Sequence, residues 1–257
     1  MSRTTPVLVI SPVSTIKRLN FTVVAAAKIK LLSFDLDDTL WPCMPTIMAA
    51  EQTLYDWMQQ RVPEVTSRFD IEGLRQKRIK LASLRPELKH DISALRIESL
   101  KALAAELELP SDWVPSAFTV YYEARQQITL FEDVAPMLDA LQTDYRLVAM
   151  TNGNANIEKT GVARWFEFAV CAAEVGYQKP HPQFFATVLE RAGLKAKEVV
   201  HIGDDPVRDI SGAVDAGIRS IWLNRAGQPW PQDEYRADRQ ITSLAELPAI
   251  LRELQAN

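Results

Sequence analysis

The chain is poor in the residues that mark several whole classes of protein. Cysteine occurs only as Cys43 and Cys171, with no CxxC pair and no zinc-ligand spacing. That excludes a disulfide framework or a structural zinc site and leads one to expect a reducing, cytoplasmic setting. The nine glycines include no GxGxxG and no GxxxxGK run, so neither a dinucleotide loop nor a P-loop is present. No apolar stretch approaches the roughly 18 residues a membrane span needs. There is no basic cluster interleaved with aromatics, and the net charge is −4, which argues against nucleic acid as an obligatory partner. Of the three histidines, His181 follows a Lys-Pro pair and His201 interrupts an apolar run. Neither has the partner spacing of a zinc ligand.

What is present is ordinary in bulk and uneven in detail. With 47% hydrophobic and 24% charged residues, a chain of 257 residues can bury a large core, as one domain or as a domain with an insertion. The first 30 residues carry five basic and no acidic side chains and seven Ser or Thr. Residues 1–28 are therefore expected to be an extension outside the folded part: a disordered tail, a targeting segment or an upstream start.

Beyond it the periodicity changes twice. Residues 29–36 read as a buried strand. From 43 to 127 no strand-like run occurs, and apolar residues recur at helical spacing: residues 44–61, then Leu74 to Leu81, Ile92 to Leu107, and a last helix through Val114 and Tyr122 that Ser111 would cap. From 134 onward helices alternate with short apolar strands. Helices are expected at 136–143, 157–166, 182–192, 207–216 and 244–254, and strands at 146–151, 168–172, 199–202 and 218–223. Such alternation implies an α/β fold, a Rossmann-like parallel sheet sandwiched by helices. The core would comprise 29–42 and 128–257, interrupted by an all-helical domain over 43–127.

Chemistry-bearing residues gather where these strands end, which is where open α/β sheets bind ligands. Asp35 and Asp37, two apart, would leave the first strand on one side. Two carboxylates that close repel unless a cation or a shared proton relieves them. Thr151-Asn152-Gly153-Asn154 ends the next strand and would open a helix, Lys179-Pro180 follows the third, and Asp204 and Asp209 follow the fourth. Taken singly, most of these residues fit caps or surface charges.

In this order, they resemble the four motifs of the haloacid dehalogenase-like hydrolase superfamily, and the helical insertion is similar to its C1-capped group. The resemblance implies a phosphatase of small phosphorylated metabolites. Asp35 would attack phosphorus and Asp37 would move the proton. Thr151, Asn152 and Lys179 would bind phosphate oxygens. Mg²⁺ would be held by Asp35, the Asp37 backbone carbonyl and Asp204, with Asp209 supporting its water shell or Lys179. An aspartate at position 37 favours phosphate esters over halides, because a halide leaves without a proton. Pro86-Glu87-Leu88-Lys89-His90-Asp91 and the run Thr151 to Ala155 resemble the bacterial flavin-pathway phosphatases. These act on 5-amino-6-(5-phospho-D-ribitylamino)uracil or FMN, so riboflavin biosynthesis is one implied setting. By that likeness His90, Asp91 and Arg96 could reach the substrate. Trp41 could line the pocket, whereas Cys43 is expected to pack. Phosphatases of a sugar phosphate or phosphoglycolate, a phosphotransferase or mutase, and a non-enzymatic binding protein are the alternatives. A monomer or a homodimer is expected.

Overall fold

The computed structural model describes residues 28–231 and 235–256, so all but Lys28 of the expected N-terminal extension lies outside the described residues. The first strand, β1 (Leu31–Phe34), is wholly buried. Leu32 and Phe34 face one apolar cluster, Leu31 another, and the hydroxyl of Ser33 meets the ring of His201. This is the two-sided burial of a parallel strand covered on both faces.

Five helices follow: α1 (Cys43–Arg61), α2 (Pro63–Arg68), α3 (Ile71–Leu84), α4 (Ile92–Glu106) and α5 (Val114–Arg125). They bury a cluster of their own, in which Ala50, Leu54 and Met58 of α1 meet Leu100 and Leu103 of α4 and Val114, Ala117 and Tyr121 of α5. The helical spacing of these residues marked the segments correctly. Asp70 and Asp91 accept the amides of Gly73 and Ala94 and so cap α3 and α4. Ser111 does not cap α5. Trp113 occupies that position without a side-chain bond, and Ser111 contributes only its carbonyl, to the amide of Val114.

The remaining elements are α6 (Val134–Leu141), β2 (Arg146–Thr151), β3 (Phe168–Cys171), α7 (Ala172–Val175), α8 (Pro182–Ala192), β4 (Val199–Gly203), α9 (Gly212–Asp215), β5 (Arg219–Leu223), β6 (Arg239–Ile241) and α10 (Leu247–Ala256). The six strands form one sheet in the order β3-β2-β1-β4-β5-β6, and every neighbouring pair is parallel. Side chains of α6 and α10 cover one face, and those of α8 and α9 the other. The three-layer expectation holds, with a sixth strand added. β6 is short and buries only Ile241, too little apolar signal to read as a strand.

Two expected helices differ. Residues 157–166 form a single turn and a short 3-10 segment, Ala163–Trp165. Asn156 accepts the amides of Glu158 and Lys159, and Gly161, at φ +77, turns the chain out of the helical path. The segment after β4 begins as a π-helical turn, Pro206–Ser211, before it becomes α9. Among the described residues no helix is long and apolar enough to cross a membrane.

Candidate active site

A cavity of about 320 Å³ opens at the carboxyl ends of β1, β2 and β4, lined by Asp35, Asp37, Thr151, Asn152, Lys179, Asp204 and Asp209 among others. The seven residues expected at the catalytic, phosphate and metal positions thus border one space. Lys179 lies at its floor. Its ammonium, fully buried, donates to Asp35 Oδ1 at 2.5 Å, Asp209 Oδ1 at 2.6 Å and the Met150 carbonyl at 3.0 Å. The Asn152 side chain pins the backbone that carries it. It accepts from the Lys179 amide at 2.7 Å and donates to the Lys179 carbonyl at 3.0 Å.

The charges here are strongly displaced. Burial pulls the Lys179 ammonium down, but Asp209 and Asp35 outweigh it and hold the group well above the ordinary lysine range. Burial likewise pushes Asp209 up, and Lys179 with His201 reverses this and keeps it ionised far below the usual carboxylate range. Asp35 is raised by burial, and repulsion from Asp209 and Asp204 adds to the effect against the pull of Lys179. Asp204, which accepts from the Thr39 hydroxyl at 3.0 Å, is pushed up to about 7 by burial and by Asp209. His201 is lowered by burial and joins Ser33 to Asp209 through its two ring nitrogens, at 3.0 and 3.3 Å.

Asp35, Asp204 and Asp209 each bring an oxygen into a group spanning no more than 4.8 Å. Ionised, they carry three negative charges against the single ammonium of Lys179. That surplus, offered by hard oxygen donors alone, fits a divalent cation of the Mg²⁺ type.

Asp37 has other partners. Its carboxylate accepts from Arg125 at 2.6 and 2.8 Å and from the Trp41 indole at 2.9 Å. Trp41 is fully buried and does not line the cavity. Asp38, in the left-handed region at φ 61, folds the chain back and accepts the Cys43 amide at 2.8 Å, which starts α1. Cys43, expected to pack, borders the cavity, its thiol pushed up to about 12 by burial and by Asp37 and Asp38.

The Thr151 hydroxyl accepts the Gly153 amide at 2.8 Å, and no helix begins there because the chain enters the turn centred on Asn156. The expectation of a helix N-terminus over the phosphate position is therefore corrected. Arg96 is also corrected. It lies inside the helical insertion, its guanidinium 3.2 Å from Glu51 and 3.3 Å from the Tyr121 ring centre, and borders neither this cavity nor its neighbour. His90 and Asp91 line that adjoining cavity. His181 caps α8 and stacks on Tyr177. Arg125 went unnoticed in the sequence. A lone arginine in a helix reads as a surface charge, and its partner lies 88 residues earlier.

The family model of the haloacid dehalogenase-like hydrolases matches residues 29–217. The chain belongs to this family. Among curated relatives of this haloacid dehalogenase-like hydrolase is the 5-amino-6-(5-phospho-D-ribitylamino)uracil phosphatase YigB of Escherichia coli K12. It is 30% identical over 232 residues, covering 87% of the chain and 97% of the relative. The glyceraldehyde 3-phosphate phosphatase of Methanopyrus kandleri is 27% identical and covers 88% and 98%. Among solved structures, a 2-haloacid dehalogenase from Pseudomonas syringae pv. tomato superimposes with a TM-score of 0.82 at 39% identity. That match covers 88% of this chain and 99% of the other.

Proposed function

We propose that this haloacid dehalogenase-like hydrolase is a Mg²⁺-dependent phosphatase of small phosphorylated metabolites that works through an aspartyl-phosphate on Asp35. The observation carrying this is the pairing of two carboxylates on one cavity in unlike environments: Asp35 against a buried ammonium, and Asp37 accepting three hydrogen bonds from Arg125 and the Trp41 indole. Such unlike environments separate a nucleophile from an acid–base group.

Asp35, backed by Lys179, attacks phosphorus, and the bond to the leaving oxygen breaks. Asp37 passes a proton to that oxygen. Its Oδ2, which only Arg125 touches, is the atom free to carry it. In the second half Asp37 takes a proton from the water that cleaves the acyl phosphate, returning Asp35 to its starting state. The Thr151–Asn152 turn supplies donors to the phosphate oxygens, and Lys179 adds its positive charge to them from behind Asp35. Held by Asp35 and Asp204, with Asp209 at hand and the Asp37 carbonyl as a further donor, Mg²⁺ would offset the repulsion between nucleophile and anionic ester. The helices α1–α5 act as the cap over this centre.

The likeness to YigB over nearly its whole length supports a flavin-pathway substrate, 5-amino-6-(5-phospho-D-ribitylamino)uracil or FMN. Phosphate release from these two esters, with Mg²⁺ and with EDTA, tests it, and Asp35→Asn should abolish release. Retained turnover in Asp35→Asn would remove the nucleophile from this scheme. Adding an acceptor sugar distinguishes a phosphotransferase by its product.

A halide-releasing reaction is the second reading, favoured by the similarity to the haloacid dehalogenase. Against it stands Asp37, since a departing halide takes no proton. Release of chloride from 2-chloropropionate would reverse the preference.

A further inference from the structure

A second cavity of about 400 Å³ adjoins the first and shares Ile92, Thr151 and Gly153 with it. That volume holds a whole small metabolite. Its walls come from both parts of the molecule, residues 90–93 and Tyr122 of the helical insertion facing residues 153–158 and the end of β3. Gly153, on the border of both cavities, lies against Asp37: a Cβ built on it would come within 2.7 Å of Asp37 Oδ2. An oxygen that receives its proton from Asp37 must sit at that border, and the group it carries has the second cavity to enter.

The lining of this space is rich in acceptors and short of cations. It holds the carboxylates of Asp91, Glu158 and Glu174 and includes no lysine or arginine; His90 is its only basic side chain. Glu174 is paired with Arg191 at 3.3 Å, outside the lining. Asp91 accepts only the Ala94 amide, and Glu158 has no ion-pair partner among the described residues. Asn154 donates to Ser93 at 3.0 Å, which leaves its side-chain oxygen without a partner. Hydroxyl and N–H groups would satisfy these acceptors. A carboxylate or a second phosphate would face like charge with nothing to balance it.

We infer that the second cavity is the leaving-group subsite and that it takes an uncharged group rich in hydroxyl or N–H donors, while rejecting one that carries a carboxylate or a second phosphate. This rests on the phosphatase reading above. The test compares two esters of equal carbon number, ribitol 5-phosphate and 5-phosphoribonate, by kcat/KM in Mg²⁺, with para-nitrophenyl phosphate alongside. The polyol ester should be preferred by about tenfold or more. Glu158→Lys, at an exposed position, should narrow that ratio several-fold, and Asp91→Asn, which keeps the helix cap, should narrow it in the same direction. Turnover of para-nitrophenyl phosphate with a ratio near one, or a ratio that neither variant moves, overturns the subsite assignment and leaves the phosphatase standing. No phosphate release from any of the three esters overturns both.

Discussion

Arg125, the last residue of α5, donates from one guanidinium nitrogen to both carboxylate oxygens of Asp37, at 2.6 and 2.8 Å. The arginine is 1% exposed, and its two other nitrogens are buried without partners. A buried cation so placed aims the aspartate more than it stabilises the fold.

The consequence should be read through the leaving group. A positioned general acid contributes roughly 10² to 10⁴ in rate, and most where the departing oxygen is basic. Arg125→Lys and Asp37→Asn should therefore depress hydrolysis of alkyl phosphates far more than that of para-nitrophenyl phosphate, whose leaving group needs little protonation. Equal losses on both ester types would mean that Arg125 has a merely structural role.

Gly153 is a steric requirement. Its φ lies outside the left-handed region, so alanine is allowed by the backbone, but the added methyl would press on Asp37 Oδ2 at 2.7 Å and Thr151 Oγ1 at 3.1 Å. Gly153→Ala should fold normally and lose about 10² in kcat, the scale of a displaced catalytic group. Circular dichroism and steady-state rates on the same preparation check both halves.

Metal affinity should follow the acids. Below about 7 Asp204 holds a proton that a cation must displace, and above it the carboxylate is free. The rise in Tm on adding Mg²⁺ should be small near pH 6 and fully developed by about pH 8. Without metal the sign reverses. A carboxyl raised from 3.8 to about 7 by folding contributes stability at low pH that is lost as pH climbs between those values. A Mg²⁺ shift of equal size across this range would contradict the assignment of Asp204 as a ligand.

Arg96 predicts stability without catalysis. Glu51 receives Arg78 at 2.5 Å and Arg96 at 3.2 Å inside the cap, so Glu51→Ala should cost about 3–5 kcal/mol by stranding two cations. Arg96→Met should cost less, because Arg78 still faces Glu51. Urea unfolding measures both, and KM for para-nitrophenyl phosphate should not change in either.

The sequence disclosed most where chemistry is local. Asp35 and Asp204 sit at strand ends that apolar runs mark out, and Lys179 follows the third such run, so their convergence on one cavity needed only the α/β pattern. Arg96, expected at the substrate, misled because its partner in space is Glu51 of α1, 45 residues earlier in the chain. Arg125 and the Ser33–His201–Asp209 chain stayed hidden for the same reason. Each depends on contacts between residues far apart in the chain, and no spacing rule records those. The helix expected over residues 157–166 failed on chemistry that was written locally, an Asn side chain opening a turn and a glycine closing it.

Gln126, next to Arg125, donates to the carbonyl of Asn154 at 3.3 Å and accepts the amide of Asn156 at 2.8 Å. Two adjacent side chains at the end of α5 thus hold Asp37 and the loop after Thr151 together. Under the proposed function this ties the helical insertion to the chemistry: a molecule too bulky for the insertion to seat would leave Asp37 and the Thr151 turn out of step with each other. Discrimination by size would then appear in turnover more than in binding, and a poor substrate could occupy the enzyme as an inhibitor.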